Sequence, residues 1–295
     1  MKHWLHAFRL RTLPLAVSSI IVGSALACFA DYWRYSGPSH FRPIVLVLAL
    51  LTAVLLQILS NLANDLGDYQ HGTDNSERVG PQRAVQSGAI APEQMRRAML
   101  ICGILAFLSG CALIIIALGL SIQTLAFLLI GLLAIGAAVK YTFGKNPYGY
   151  AGFGDLSVFL FFGIVGVCGT YFLHTGTFDP LIIWPAIAFG LLSTGVLNVN
   201  NMRDIHNDAA SGKRTMVVRL GFVQAKVYHT VLVLGGIAPL LAIAPFLPPA
   251  SWLILPGILL LLLHLLKVWR TKEPRDLDPQ LKVLAMGTFF TALLF

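Results

Sequence analysis

The stretch Pro43-Ile-Val-Leu-Val-Leu-Ala-Leu-Leu-Thr-Ala-Val-Leu-Leu-Gln-Ile-Leu-Ser-Asn61-Leu-Ala-Asn-Asp65-Leu-Gly-Asp68 decides how this chain folds. Its first part is an unbroken apolar run long enough to cross the ~30 Å hydrocarbon core of a bilayer as a helix. Its end is a burst of amides and carboxylates. A second run, 181–199, ends the same way, in Asn198, Asn200, Asn201, Asp204 and Asp208. Carboxylates are costly where a span meets water unless they bind something, so ionisable groups at this depth are functional candidates.

Working outward, the rest of the chain has the same character. It is 57% hydrophobic and 12% charged, against about 25% charged for soluble domains. Nine apolar runs occur, at 12–30, 43–63, 98–118, 122–142, 154–173, 181–199, 227–247, 251–268 and 283–295. The expectation is an all-α integral membrane protein, with nine transmembrane helices around a central cavity in one domain, 1–295. The last run is short for a span, so its helix is expected to continue past Phe295. No cleavable signal is expected at the N-terminus, because the first run is a full span with no small-residue cleavage site.

Charge sets the expected orientation. Of the 21 basic residues, all but Arg34 and Arg42 fall in one set of loops. By the positive-inside rule that set, the N-terminus and both acidic clusters are cytoplasmic. The connections 119–121, 174–180 and 248–250 on the other side are short, whereas 64–97 and 200–226 are long and each carries an acidic cluster. The net charge of +8 is spread over these loops, which argues against nucleic acid and for anionic headgroups or a phosphorylated substrate. Cys28, Cys102, Cys111 and Cys168 lie within apolar runs without metal-type spacing, and read as small hydrophobes.

Of the 13 acidic residues, Asp65, Asp68, Asp74, Glu77, Asp155, Asp204 and Asp208 lie in or near the two clusters. At helical spacing Asn61, Asn64, Asp65 and Asp68 share a face, as do Asn200, Asn201, Asp204 and Asp208. Several carboxylates in one partly buried space raise each other's pKa, and a divalent cation removes that conflict. Mg²⁺ takes oxygen ligands and is typically held by one or two carboxylates plus substrate phosphates. Asp65, Asp68, Asp204 and Asp208 are therefore the expected metal and catalytic set. A shift of 136 positions lays Asn64 on Asn200 and Asp68 on Asp204, suggesting two similar helical halves facing one cavity. Arg78, Arg83, Lys140, Lys145, Lys213 and Arg214 are candidates to neutralise a diphosphate. Lys267 to Lys282 read as topological. Tyr141, beside the Gly-rich segment that ends at Asp155, is a candidate to stabilise a cation through its π face. Tyr148 and Tyr150 are weaker candidates, read first as interfacial anchors. His71 and His206 read as loop-surface residues.

Read as words, Asn61-Leu-Ala-Asn-Asp-Leu-Gly-Asp-Tyr-Gln-His-Gly-Thr-Asp74 with Arg78, Gly80-Pro81 and Arg83-Ala-Val-Gln-Ser-Gly88 resembles the first Asp-rich motif of the UbiA superfamily of membrane prenyltransferases. Asn200-Asn-Met-Arg-Asp-Ile-His-Asn-Asp208 with Gly212-Lys-Arg-Thr215 resembles its second. Arg11-Thr-Leu-Pro14 and Tyr141-Thr…Asn146-Pro-Tyr-Gly149…Gly154-Asp155 fit as well. Within the superfamily the likeness is to the 1,4-dihydroxy-2-naphthoate polyprenyltransferases, since Tyr69, and not Arg, follows Asp68. The resemblance implies a nine-helix fold in the bacterial cytoplasmic (inner) membrane and dependence on Mg²⁺. It also implies a polyprenyl diphosphate donor, a 1,4-dihydroxy-2-naphthoate acceptor, and demethylmenaquinol, CO₂ and diphosphate as products. Asn61, Asn64, Asp74, Asn198, Asn200 and Asn201 would orient donor phosphates, metal waters or the acceptor. The rivals are another aromatic prenyltransferase of the superfamily and a transporter, which would place its polar groups at the bilayer midplane. A CDP-alcohol phosphotransferase would need a Gly where Tyr69 stands.

Overall fold

The computed structural model describes residues 2–34, 40–75 and 79–295, and these contain helices and no strand. After a short α1 (Lys2–Ala7) come α2 (Leu13–Arg34), α3 (Pro43–Gln70), α4 (Pro92–Leu118) and α5 (Ile122–Lys140). The next span begins as α6 (Gly154–Val158), widens into a π-helix over Phe159–Gly169 and closes as α7 (Thr170–Thr175). Then follow α8 (Ile183–Arg203), the short α9 (Ile205–Ala210) and α10 (Met216–Leu220), α11 (Phe222–Ile243), α12 (Leu255–Arg270) and α13 (Asp278–Leu294).

Eight helical segments among the described residues are long and apolar enough to cross a membrane. The ninth expected span corresponds to α13, whose 17 residues pack against α2, α8 and α12. The helices close a ring: α2 meets α3 and α13, α3 meets α4, the π segment meets α2 and α8, α8 meets α11, and α11 meets α12. Large apolar side chains remain exposed on most of these helices, among them Leu100, Ile104, Leu129, Leu133, Leu259 and Leu266. That outward apolar surface is what lipid, and not water, solvates. α5 is the extreme case. It rests only on α3 and α4 among its strong contacts, and Thr124 is its single fully buried residue.

Most of the buried carboxylates and amides lie at one end of the ring, although other polar groups such as His174 and Asp179 are buried elsewhere. Asn61, Asp65 and Asp68 on α3, Asn198, Asn201 and Arg203 on α8, and Asp204 and Asp208 beyond it are all buried. Buried groups of this kind persist only when paired or hydrogen-bonded, so their partners define the site.

Candidate active site

Both acidic segments end in the same chain reversal. After α3, Gly72 adopts φ 71°, Thr73 N–H donates to the Asp68 carbonyl at 2.9 Å, and Gly72 N–H donates to that of Tyr69 at 3.2 Å. After α9, Gly212 adopts φ 75°, Lys213 N–H donates to the Asp208 carbonyl at 2.9 Å, and Gly212 N–H donates to that of Ala209 at 3.2 Å. These paired bonds around a left-handed residue are Schellman motifs, and glycine takes that conformation without a Cβ penalty. Asp68 and Asp208 therefore occupy equivalent places before the two reversals. Gly72 corresponds to Gly212, an offset four residues longer than the 136 inferred from sequence. The second segment breaks at Asp204, between α8 and α9, which the sequence alignment did not anticipate.

The two reversals are stitched together. Asn207 Nδ2 donates to the Thr73 carbonyl at 2.8 Å. Tyr150 lies between them: its hydroxyl donates to Asp68 Oδ1 at 2.8 Å and meets Thr73 Oγ1 at 2.5 Å, while its carbonyl accepts from Arg214 N–H at 2.9 Å. Lys213 Nζ stands 3.5 Å from Asp208 Oδ1 and 5.3 Å from the centroid of the Tyr150 ring. Burial pushes the Asp208 carboxyl up to about 6, with Lys213 pulling it down and Asp204 and Asp68 adding to the rise. Burial works against the Lys213 ammonium, yet Asp208, Asp68, Tyr150 and Asp204 together hold its pKa above the usual lysine range. The Tyr150 hydroxyl is pushed well above the tyrosine range by burial and then by Asp68.

The remaining candidates divide by what they touch. Asp204 is gripped by Arg203 through Nε at 2.9 Å and Nη2 at 2.5 Å. The same guanidinium donates to Asn200 Oδ1 at 3.1 Å and Asp278 Oδ1 at 2.7 Å. Asp65, expected as a metal ligand, accepts the backbone N–H groups of Ala84 and Val85, each at 3.1 Å. It thereby ties down the loop that carries Arg83, whose Nε is 3.7 Å from Asp74 Oδ1. Asn61 Nδ2 donates to the Phe8 carbonyl at 2.9 Å and to Thr12 Oγ1 at 3.1 Å, and Asn64 Oδ1 accepts from Thr142 Oγ1 at 2.7 Å. Asn198 is fully buried with neither amide atom hydrogen-bonded. Lys140, Lys145 and Arg214 are exposed, and Lys140 Nζ donates to the Lys145 carbonyl. Arg78 lies outside the described residues.

Beneath this cluster opens a cavity of about 750 Å³. Its mouth is lined by Arg9, Asn61, Asn64, Asp68, Arg83, Tyr141, Asn200, Asn201 and Lys213, whereas Asp65, Asp74, Asn198, Asp204 and Asp208 are not in its lining. The wall continues along the π segment, with Phe161, Phe162 and Val165, to an apolar end at Ile20, Ala49, Leu113, Ile114, Phe127 and Leu173. Lys282, read from sequence as topological, also lines it. Sequence reasoning undervalued Tyr150, Lys213 and Arg203. The available signals were the position of Tyr150 within a Gly-rich turn and the Gly-Lys step five residues after Asp208.

Fold and site together define a class: a multi-span helical membrane protein in which two acidic helix ends cap a long apolar chamber. Residues 16–294 match the UbiA prenyltransferase family, and the chain belongs to that family. It is 45% identical to a 1,4-dihydroxy-2-naphthoate octaprenyltransferase of Escherichia coli (strain K12) over 294 residues, covering 99% of this chain and 93% of that one. It is 44% identical to the protein of the same name from Haemophilus influenzae, covering 100% of this chain and 94% of that one. Among solved structures, a UbiA homolog from Archaeoglobus fulgidus bound to DMAPP and Mg²⁺ superposes with a TM-score of 0.65 at 14% identity, over 99% of this chain and 98% of that one. At that identity the likeness is one of fold.

Proposed function

We propose that this protein transfers a polyprenyl group from polyprenyl diphosphate to 1,4-dihydroxy-2-naphthoate, with loss of CO₂, to give demethylmenaquinol. The observation that carries the reading is one continuous chamber, polar and charged at the mouth and mainly apolar beyond it, with scattered hydroxyls such as Ser19, Thr52 and Thr170. It suits an amphiphile with an anionic head. Relatives that match along nearly the whole chain and carry the corresponding name support the naphthoate acceptor.

The residues present fit Mg²⁺. Asp208 is buried with Oδ2 lacking any hydrogen bond, which leaves an oxygen open to a cation, and burial together with Asp204 and Asp68 disfavours its charged form despite Lys213. Among the described residues no three acidic, His or Cys side chains form a ready-made ion cage. Mg²⁺ generally keeps several waters and is held by one or two carboxylates plus substrate phosphate. Asp68, Asp204 and Asp208 are the residues that would hold it. When bound, Mg²⁺ supplies Lewis-acid stabilisation of the charge gathering on the departing diphosphate. Arg9 and Arg83 at the mouth orient the diphosphate, and Asn64 and Asn201 bind its polar atoms or metal waters. The prenyl chain lies along the π segment, away from water. The Tyr141 ring faces the carbon that becomes cationic as its bond to the diphosphate oxygen breaks. A ring carbon of the naphthoate bonds to that carbon, and the ring regains aromaticity by losing its carboxylate as CO₂. The acidic mouth faces the cytoplasm of a bacterial inner membrane in this reading, consistent with the basic loops around it.

Incubating the purified protein with labelled 1,4-dihydroxy-2-naphthoate and a prenyl diphosphate, with and without Mg²⁺, tests the assignment. Label should move into a lipid-soluble, decarboxylated product only with Mg²⁺. Prenylation of 4-hydroxybenzoate but not of the naphthoate would overturn the acceptor, and no prenyl transfer to either would overturn the reaction.

A further inference from the structure

The cavity mouth meets Lys213 where it would otherwise meet carboxylates. Lys213 is in the lining, while Asp204 and Asp208 are not. Its side chain is only 10% exposed, and the one ion-pair oxygen within reach among the described residues, Asp208 Oδ1 at 3.5 Å, is a long contact. Asp68 and Asp204 are the next carboxylates to act on it, and the Tyr150 ring faces the ammonium. The chain puts it there by construction, because the Gly212 reversal folds the residue after it back onto the end of α9. At the matching position after α3 stands the uncharged Thr73, so the charge belongs to one half of the site only. A flexible stem bearing a compact ammonium can leave such a place, whereas the guanidinium of Arg203, fixed by four hydrogen bonds, is held in place.

Resting on the metal-dependent reading above, we propose that Lys213 is the resident counterion of the divalent-cation site. Its ammonium holds the space beside Asp208 until the cation enters, and then turns into the cavity mouth to bind the donor's diphosphate. The side chain and the cation compete for the same carboxylate, and the displaced side chain becomes a phosphate ligand. Metal entry and donor capture are thereby coupled through one lysine.

Two measurements on the purified full chain test this. Mn²⁺ binding without substrate is followed by the loss of the free-ion electron paramagnetic resonance signal. Lys213→Met should bind Mn²⁺ at least roughly tenfold more tightly than the unaltered protein, the scale of one like charge removed from a partly buried site. Equal or weaker binding overturns the proposal. In the unaltered protein, acetylation of Lys213 by an amine-reactive reagent is followed by mass spectrometry. Labelling should rise severalfold on adding Mg²⁺ and fall again when pyrophosphate is added with free Mg²⁺ held constant in excess. A rate that Mg²⁺ leaves unmoved overturns the displacement even if Lys213→Met tightens binding, since loss of charge alone would do that. Failure of both proteins to retain Mn²⁺ in equilibrium dialysis against Mn²⁺ and pyrophosphate would overturn the metal reading itself, a result distinct from the other two.

Discussion

Arg203 offers the sharpest test of how the second acidic segment is held. Its side chain is 1% exposed, and its bidentate partner Asp204 is 7% exposed. The further bond to Asp278 adds little, because that carboxylate is 41% exposed and solvent screens exposed pairs to within about 1 kcal/mol. The energetic consequence of Arg203→Met therefore comes from leaving Asp204 charged and buried without its cation, which costs about 3–5 kcal/mol. In a chain of this size about 1 kcal/mol moves the melting temperature by ~2–4 °C, so thermal unfolding in detergent should fall by on the order of 10 °C. Mg²⁺ should recover part of the loss, since it supplies charge to the same carboxylate. Arg203→Lys should recover little, because an ammonium lacks the planar fork that grips both carboxylate oxygens. A melting temperature within ~2 °C of the unaltered protein in EDTA, judged against the same size scaling, would refute the claim that Asp204 depends on this pair.

Other outcomes follow from the same geometry. Alanine at Asp68 or Asp204 should abolish prenyl transfer in folded protein, measured by product formation. Asp65→Ala should also act on the reaction, but through the loop it anchors: two buried amides lose their acceptor, at about 1–3 kcal/mol each, and the KM for the prenyl diphosphate should rise as Arg83 is released. With the Asp208 carboxyl held near 6, Mg²⁺ affinity measured by titration should be flat above that pH and fall roughly tenfold per unit below it, as one proton competes for the site. The sign for stability without metal is opposite. A carboxyl whose folded pKa is raised binds more protons folded than unfolded, so its contribution is lost as pH climbs from about 4 to about 6. Gly67→Ala should lower both stability and activity, because a Cβ there would lie 2.5 Å from the Thr142 carbonyl oxygen and force apart α3 and the turn bearing Tyr141.

The spans and both acidic segments were legible in the sequence because hydropathy and three-to-four spacing are local signals. α13 stood out as the short member, and Asn61, Asn64, Asp68, Arg83, Tyr141, Asn200 and Asn201 do line the cavity. The hidden parts depend on meetings between distant residues. Nothing local distinguishes Asp65, which turns toward Ala84 and Val85, from Asp68, three residues on, which turns toward Tyr150. Arg203 looked like one more basic residue in a basic loop until its four bonds were seen. The 136-residue alignment matched Asp68 to Asp204, but the break at Asp204 inserts a further turn, so that Asp68 answers to Asp208.

The π-helical stretch Phe159–Gly169 is in effect spare chain stored inside a membrane span. A π turn holds more residues than the 3.6 of an α turn, and here the surplus is spread along the wall that carries Phe161, Phe162 and Val165 into the chamber. Removing one residue from this stretch need not break the span: the helix can rewind toward α geometry. The α-helical segments on either side would then keep their facing, because only surplus chain is lost, while side chains within the stretch shift by one position and exchange cavity-facing aromatics for their neighbours. The shape of the chamber can thus change by a single-codon deletion, without altering the acidic helix ends that sit above it.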